Sequence, residues 1–306
     1  MKFILNAFNH HRLSWHWTLL TALIVREIRQ RYRGTFLGLL WSLIGPLLQL
    51  SIFAFIFRSV FSARWPNNGN LGSNPSAMRA EFVLPEQLVY ALNLFIGLMV
   101  FSMFSEVMTR SPRLVVDNPQ FVRKVVFPLP ILSQVTAVAA LFHALMYWSV
   151  LSICLFFCHV YGQISSGAAD GLTQGLGHGI AGFCFQAFLS LLVLLITYPF
   201  LLSICWVLAA LGAYFRDMTL MMPALTSVMM FLGPVFYPSS ALPDTYQLII
   251  DINPISLPIN QIRDILLHNR FPEWSSLSEY FFLGCIFAIV SKWFFSKVQR
   301  GFPDVI

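Results

Sequence analysis

Four arginines, Arg26, Arg29, Arg31 and Arg33, stand directly before an apolar run that holds no charge from Gly34 to Phe57. Guanidinium groups crowded in this way suit two tasks. Their planar forks can bind phosphate oxygens in pairs, and cations beside a membrane span hold its near end in the cytoplasm. The carboxylates are placed less suggestively. Ion-coupled transport needs carboxylates embedded in the membrane, whereas Glu106, Asp217 and Glu279 fall at the ends of apolar runs and the other acidic residues fall in loops. His143 lies inside an apolar run, where a polar side chain is costly. With no carboxylate beside it in the sequence, it is read as an interhelical hydrogen bond. His10, His11 and His16 form an interfacial cluster without an acidic partner. Cys154, Cys158, Cys184, Cys205 and Cys285 are odd in number and form no C-x-x-C pair, so neither disulfides nor a metal site is expected. No G-x-x-x-x-G-K-[ST] motif occurs, so if the chain moves a solute uphill, another chain must supply the energy.

The elements that position these residues follow from composition. With 57% hydrophobic and 10% charged residues the chain reads as an all-α integral membrane protein. Charge-free runs, the last a short one from Tyr280 to Ser291 that is extended with Glu279 at one surface and Lys292 snorkelling to the other, predict six transmembrane helices, at about 35–60, 87–109, 128–159, 179–213, 218–237 and 277–296. The glycine-rich stretch from Gly162 to Gly179 is an extramembrane connection. Residues 1–33 form a cytoplasmic N-terminus and an amphipathic interface helix, 34–298 the six-span transmembrane domain, and 299–306 a cytoplasmic tail. In the interface helix Leu13, Trp17, Leu20, Ile24 and Ile28 share one face, with Arg26, Arg29, Gln30 and Arg33 on another. A generic membrane anchor is the alternative reading. Most Lys and Arg residues fall on one side if both termini are cytoplasmic.

Two loops invite partners. Thr109 to Pro130 carries Ser111, Asp117 or Asn118 as helix caps and Pro119 at a first helical position, which predicts a short cytoplasmic helix over Gln120–Val126. Phe121, Arg123 and Lys124 suit a docking surface or, equally, a basic turn. Beyond the fifth expected span, the proline-punctuated stretches Tyr246–Ile252 and Ile255–Leu267 are too short to cross a membrane. They predict periplasmic re-entrant half-helices at an outer gate.

The stretches "REIRQRYRGTFLGLLWSLIGPLL", "NPQFVRKVVFPLPIL" and "YFRDM", with the ordered "GPVFYP…ALP…INP…IRDILL", resemble the type-2 ABC exporter permeases. The likeness is to the branch that exports O-antigen, capsule and teichoic acid, and covers nearly the whole chain. "FPLP" departs from relatives that carry a charged pair after "FP", and Phe61 to Pro85 is longer than usual. The resemblance implies a non-enzymatic permease subunit of an inner-membrane exporter of lipid-linked polysaccharide. It implies a homodimer with two copies of a partner ATPase, ATP and Mg binding in that partner, contact with membrane lipids, and no nucleic acid. Asp117, Asn118, Pro119, Phe121, Arg123 and Lys124 would couple to the ATPase. Arg26, Arg29, Arg31 and Arg33 would meet the lipid headgroup. Trp41, Phe53, Phe57, Phe231, Phe236 and Tyr237 would line the pore, where aromatic faces let a sugar polymer slide. Pro238, Asn253, Pro254, Arg263 and Asp264 would form the outer gate. Export of another lipid or drug is the alternative. A membrane acyl- or glycosyltransferase is a third class, opposed by the lack of an intramembrane His–Asp pair or of a cytoplasmic carboxylate cluster.

Overall fold

Inside a bilayer every backbone N–H and C=O must find its partner within the protein, and a long apolar run achieves this by coiling into a helix. The computed structural model describes residues 2–59, 86–122, 127–166, 179–239, 243, 247 and 250–305, with the backbone alone at 2–16, 57–59, 86–87, 161–166, 179 and 304. All regular structure among the described residues is helical. The order is α1 (Lys2–Tyr32), α2 (Trp41–Ser59), α3 (Glu86–Arg110), α4 (Pro119–Val122), α5 (Pro130–Ser166), α6 (Gly179–Ile196), α7 (Tyr198–Tyr214) and α8 (Met218–Leu232). Two more follow, α9 (Ser256–Leu267) and α10 (Trp274–Val298), before a last short turn at Phe302–Val305.

Among the described residues five helical stretches are long and apolar enough to cross a membrane: Gly38–Ile56, Leu88–Arg113, Pro130–Val160, Ile180–Tyr214 and Trp274–Gly301. The fourth combines α6 and α7, which meet at a turn where the Thr197 hydroxyl donates to the Leu194 carbonyl at 2.6 Å and Pro199 lacks an amide proton. α8 has 15 residues, about 22 Å of helix, against a hydrocarbon thickness of about 30 Å. The segments 60–85 and 167–178 lie outside the described residues, as do parts of Tyr246–Ile252; of the glycine-rich connection expected from Gly162 to Gly179, residues 162–166 instead continue α5 and Gly179 opens α6. The second half-helix is present as α9.

α3 is the central helix, with Leu92, Phe95, Ile96, Met99, Val100, Met103, Phe104 and Val107 almost wholly buried. Lipid tails are as apolar as leucine, so close packing and interhelical hydrogen bonds must hold such a bundle together. Gly212 of α7 lets the backbone of Pro112 approach, and Gly284 of α10 sits against Phe200. Trp148 Nε1 donates to Ser190 Oγ at 3.0 Å, joining α5 to α6. Trp206 Nε1 donates to the Pro130 carbonyl at 3.2 Å, joining α7 to α5.

α1 does more than lie along the surface. Leu23 is buried against Ile131 and Val135, with Leu19, Leu20 and Ile24 beside them, while Arg31 reaches His143. These contacts advance together along both helices, so α1 runs beside α5 in the same direction. Trp17, which shares the apolar face of the interface helix with Leu20 and Ile24, is 62% exposed.

Candidate functional site

At the end of the bundle where α1 turns into α2, four helices enclose a cavity of about 880 Å³. α2 contributes Trp41, Ser42, Gly45, Pro46 and Gln49, a face built at helical spacing. Pro46 removes the amide that would pair with the Ser42 carbonyl, and a Cβ built on Gly45 would meet nothing within 4 Å. α3 contributes Leu98, Phe101, Ser102, Ser105, Glu106 and Thr109, again one face. α1 adds Glu27, Gln30, Arg31 and Tyr32, and α5 adds His143 and Tyr147.

An ionic network crosses the cavity wall. Glu106 is 12% exposed at its side chain. Its Oε1 accepts from Arg31 Nη1 and, at 3.0 Å, from Arg110 Nη1 one turn along α3. Arg110 Nη2 donates at 2.7 Å to Glu27 Oε1 of α1. His143 Nδ1 lies 2.9 Å from Glu106 Oε2 and 3.0 Å from Arg31 Nη1. A guanidinium can only donate and a carboxylate can only accept. The ring nitrogen therefore serves one partner at a time, donating to Glu106 when protonated there and accepting from Arg31 when not. Tyr32 stands edge-on to His143 with ring centroids 6.1 Å apart. Burial raises the Tyr32 phenol above its ordinary range and keeps it neutral.

His143 thus makes the interhelical bond expected of it, but not for the expected reason: a carboxylate stands beside it. The sequence reading took Glu106 for a span-end residue because partners 37 positions apart meet only when α3 packs on α5. The argument against an enzyme that rested on a lone histidine is corrected accordingly. Glu27, Glu106 and Arg110 were missed as site residues. One signal was available, for Leu20, Ile24 and Ile28 continue at helical spacing to Arg31, so an arginine completes the inward face of α1. A second was the polar run Ser102, Ser105, Glu106 and Thr109 along one face of an otherwise apolar helix.

The other nominated residues fall in three places. Arg26 lies over the Phe121 ring at 5.6 Å, and Phe121 stacks on Phe127 with centroids 4.4 Å apart. Phe127 in turn packs against the Leu23 cluster, so α1 and α4 form one unit. Arg29 and Arg33 are exposed. Asp117 and Pro119 are exposed at the same loop, where the Asn118 side chain donates back to the Leu114 carbonyl at 2.9 Å rather than forward. Arg123 and Lys124 lie outside the described residues.

Among the aromatics, Trp41 opens onto the cavity and Phe53 is half-buried further along α2. Phe57 is described by its backbone alone. Phe231, in the last turn of α8, and Phe236, just past it, approach each other at 6.1 Å, and Tyr237 donates to the Phe231 carbonyl at 2.9 Å. Trp41 and this trio sit at opposite ends of their helices.

The residues nominated for an outer gate include a clamp around Arg263. Arg263 is 4% exposed and donates to the carbonyls of Pro234 at 2.6 Å, Val235 at 2.9 Å and Asn93 at 2.8 Å. The first two lie just past the C-terminus of α8, where a cation is electrostatically favoured. Asn253 donates to the Met229 carbonyl at 3.1 Å, and Tyr280 to the Pro254 carbonyl at 2.9 Å. Asp264 faces His268 at 3.2 Å, and Pro238 is half-buried.

Comparison with known proteins now bears on this architecture. The ABC-2 type transporter family matches residues 18–267. The O-antigen export system permease protein RfbA of Klebsiella pneumoniae is 24% identical over 296 residues, covering 97% of this chain and 98% of that protein. The protein of the same name from Myxococcus xanthus is 23% identical over 290 residues, covering 94% and 95%. With five described helical stretches long and apolar enough to cross a membrane and a family match over most of its length, the chain is a multi-pass membrane protein that belongs to the ABC-2 type transporter family.

Proposed function

We propose that this chain is the permease subunit of an ATP-driven exporter that carries a lipid-linked polysaccharide of O-antigen type across the bacterial inner membrane. The observation that carries the reading is the end-to-end alignment with O-antigen export permeases from two organisms. A match of that extent includes the loops and half-helices as well as the spans.

Several features support the finer picture. A sixth crossing by α8 and the turn after it would leave both termini in the cytoplasm, the side that holds most of the cations. Two copies pair in the membrane, and the exposed apolar faces of α2 (Leu48, Ile52, Phe55) and α8 (Leu225, Val228, Phe231) offer area for a second copy as well as for lipid. Pairing would bring Trp41, Phe53, Phe57, Phe231, Phe236 and Tyr237 toward a shared conduit. Two ATPase subunits, binding ATP and Mg, dock at the unit formed by α1 and the Asn118–Val126 segment. Arg26 on Phe121 would pass a push on that segment into α1. Arg29 and Arg33 stay open to an anionic headgroup.

The reading is tested by deleting the chain's gene and measuring polymer at the cell surface, then purifying the chain alone and with its co-purifying ATPase. Loss of surface polymer, phosphate release only from the complex, and a complex with two copies of each subunit are expected. Unchanged surface polymer, or ATP turnover by the isolated chain, would overturn it.

A further inference from the structure

The cavity between α1, α2, α3 and α5 carries chemistry that the docking unit does not use, and Trp41 is its one residue also drawn toward the conduit. Its formal charges are matched in pairs, Glu27 and Glu106 against Arg31 and Arg110. An arriving anion would have to break an existing arginine–carboxylate pair to bind. What remains unspent is neutral. Trp41 is 44% exposed and opens onto the cavity, and Gln49 makes no side-chain hydrogen bond to any described residue. The Ser42 carbonyl has lost its helical donor to Pro46. Gly45, between them, leaves room for a ring to approach the α2 backbone.

An aromatic face beside planar amides and ion-paired carboxylates recognises a polyhydroxylated ring. The apolar face of the ring lies on the indole, and vicinal hydroxyls pair with groups that both donate and accept. The volume of 880 Å³ falls within the range of about 300–1,000 Å³ typical of small-molecule sites. The geometry points to a saccharide subsite in each protomer, holding an uncharged sugar unit of the polymer against Trp41 and Gln49. Glu106, Arg31 and Arg110 act as positioning residues that fix its wall. This rests on the polysaccharide reading above and adds where within each protomer a sugar is gripped.

The test uses the full exporter with its ATPase in cells that make the polymer. The variants are Trp41→Ala, Trp41→Phe and Gln49→Leu, each normalised to membrane abundance. In parallel, the purified complex in lipid nanodiscs is titrated with delipidated oligosaccharide released from the cells' own polymer by mild acid. Saturation-transfer NMR reads sugar binding, and inorganic pyrophosphate is the competitor. Trp41→Ala and Gln49→Leu are expected each to weaken oligosaccharide binding by about 2- to 12-fold and to lower export, with Trp41→Phe intermediate. Pyrophosphate should leave the sugar signal unchanged. Binding and export equal to the unmodified exporter in both variants would overturn the subsite, as would displacement of the sugar by pyrophosphate. Gene deletion separates the two levels. If deletion abolishes surface polymer while these variants behave normally, the subsite fails and the export reading stands. If deletion leaves the polymer unchanged, the export reading itself fails.

Discussion

Replacing Arg31 with lysine keeps the charge but exchanges a planar guanidinium, whose Nη1 meets both Glu106 and His143, for a strongly hydrated point charge on a flexible stem. Arg29, two positions away, faces outward. Removing a hydrogen bond to a charged group costs about 1.5–3 kcal/mol where the partner is left behind. Because the cavity lets water rehydrate the survivors, the lower part of that range is expected for Arg31→Lys. Arg29→Lys and Arg33→Lys should change stability by no more than about 0.5 kcal/mol. Thermal unfolding of the purified variants checks this, and equal melting of Arg31→Lys and Arg29→Lys would show that the network adds nothing. Export assays on the same variants separate a second effect. If the exposed arginines meet a phosphate headgroup, Arg29→Lys and Arg33→Lys should lower export at unchanged stability, whereas a pure topology signal would tolerate both. The cluster of arginines was plain in the sequence, but its division of labour was not. Which of four neighbouring cations turns inward depends on what α3 and α5 hold opposite it, and those groups lie 75 and 112 positions away.

At the scale of elements, the clamp around Arg263 makes α3, α9 and the end of α8 a single body. Its tightest point is Gly97, where an added Cβ would stand 2.6 Å from the Val235 carbonyl oxygen and 3.0 Å from Arg263 Nη2. Gly97→Ala is therefore expected to destabilise the protein by about 1–3 kcal/mol through overpacking and to lower export. Normal melting with normal export would mean that the turn relaxes freely. A second prediction concerns the docking unit. Reversing charge at Arg123 and Lys124 should weaken recovery of the ATPase or uncouple hydrolysis from export while membrane insertion stays intact, and an unaltered complex would favour a merely basic turn. Five of the six expected spans coincide with described helical stretches long and apolar enough to cross a membrane, because burial in lipid leaves a strong compositional mark. The direction in which α1 travels could not be read from the sequence. Its face reads as amphipathic whether it lies flat or climbs beside α5, and only the match of Leu23 to Ile131 and of Arg31 to His143 decides.

The whole molecule is made in one direction, and the network around Glu106 gives that fact weight. A ribosome delivers Arg31 first, Glu106 75 residues later and His143 another 37 after that. A carboxylate leaving the translocon toward lipid without a partner is costly, yet by then α1 has already placed a guanidinium where α3 must dock. The first helix is thus a waiting partner for the third. Capture of α3 by α1 would supply a pull on the nascent chain before α5 exists. An arrest-peptide series placed after α3 should register that pull and lose it in Arg31→Gln, and an unchanged force profile would show that Glu106 enters without help. On this view the N-terminal helix matters to the birth of the transporter as well as to its working cycle. Truncating it would leave α3 poorly inserted even in cells that never need the exported product.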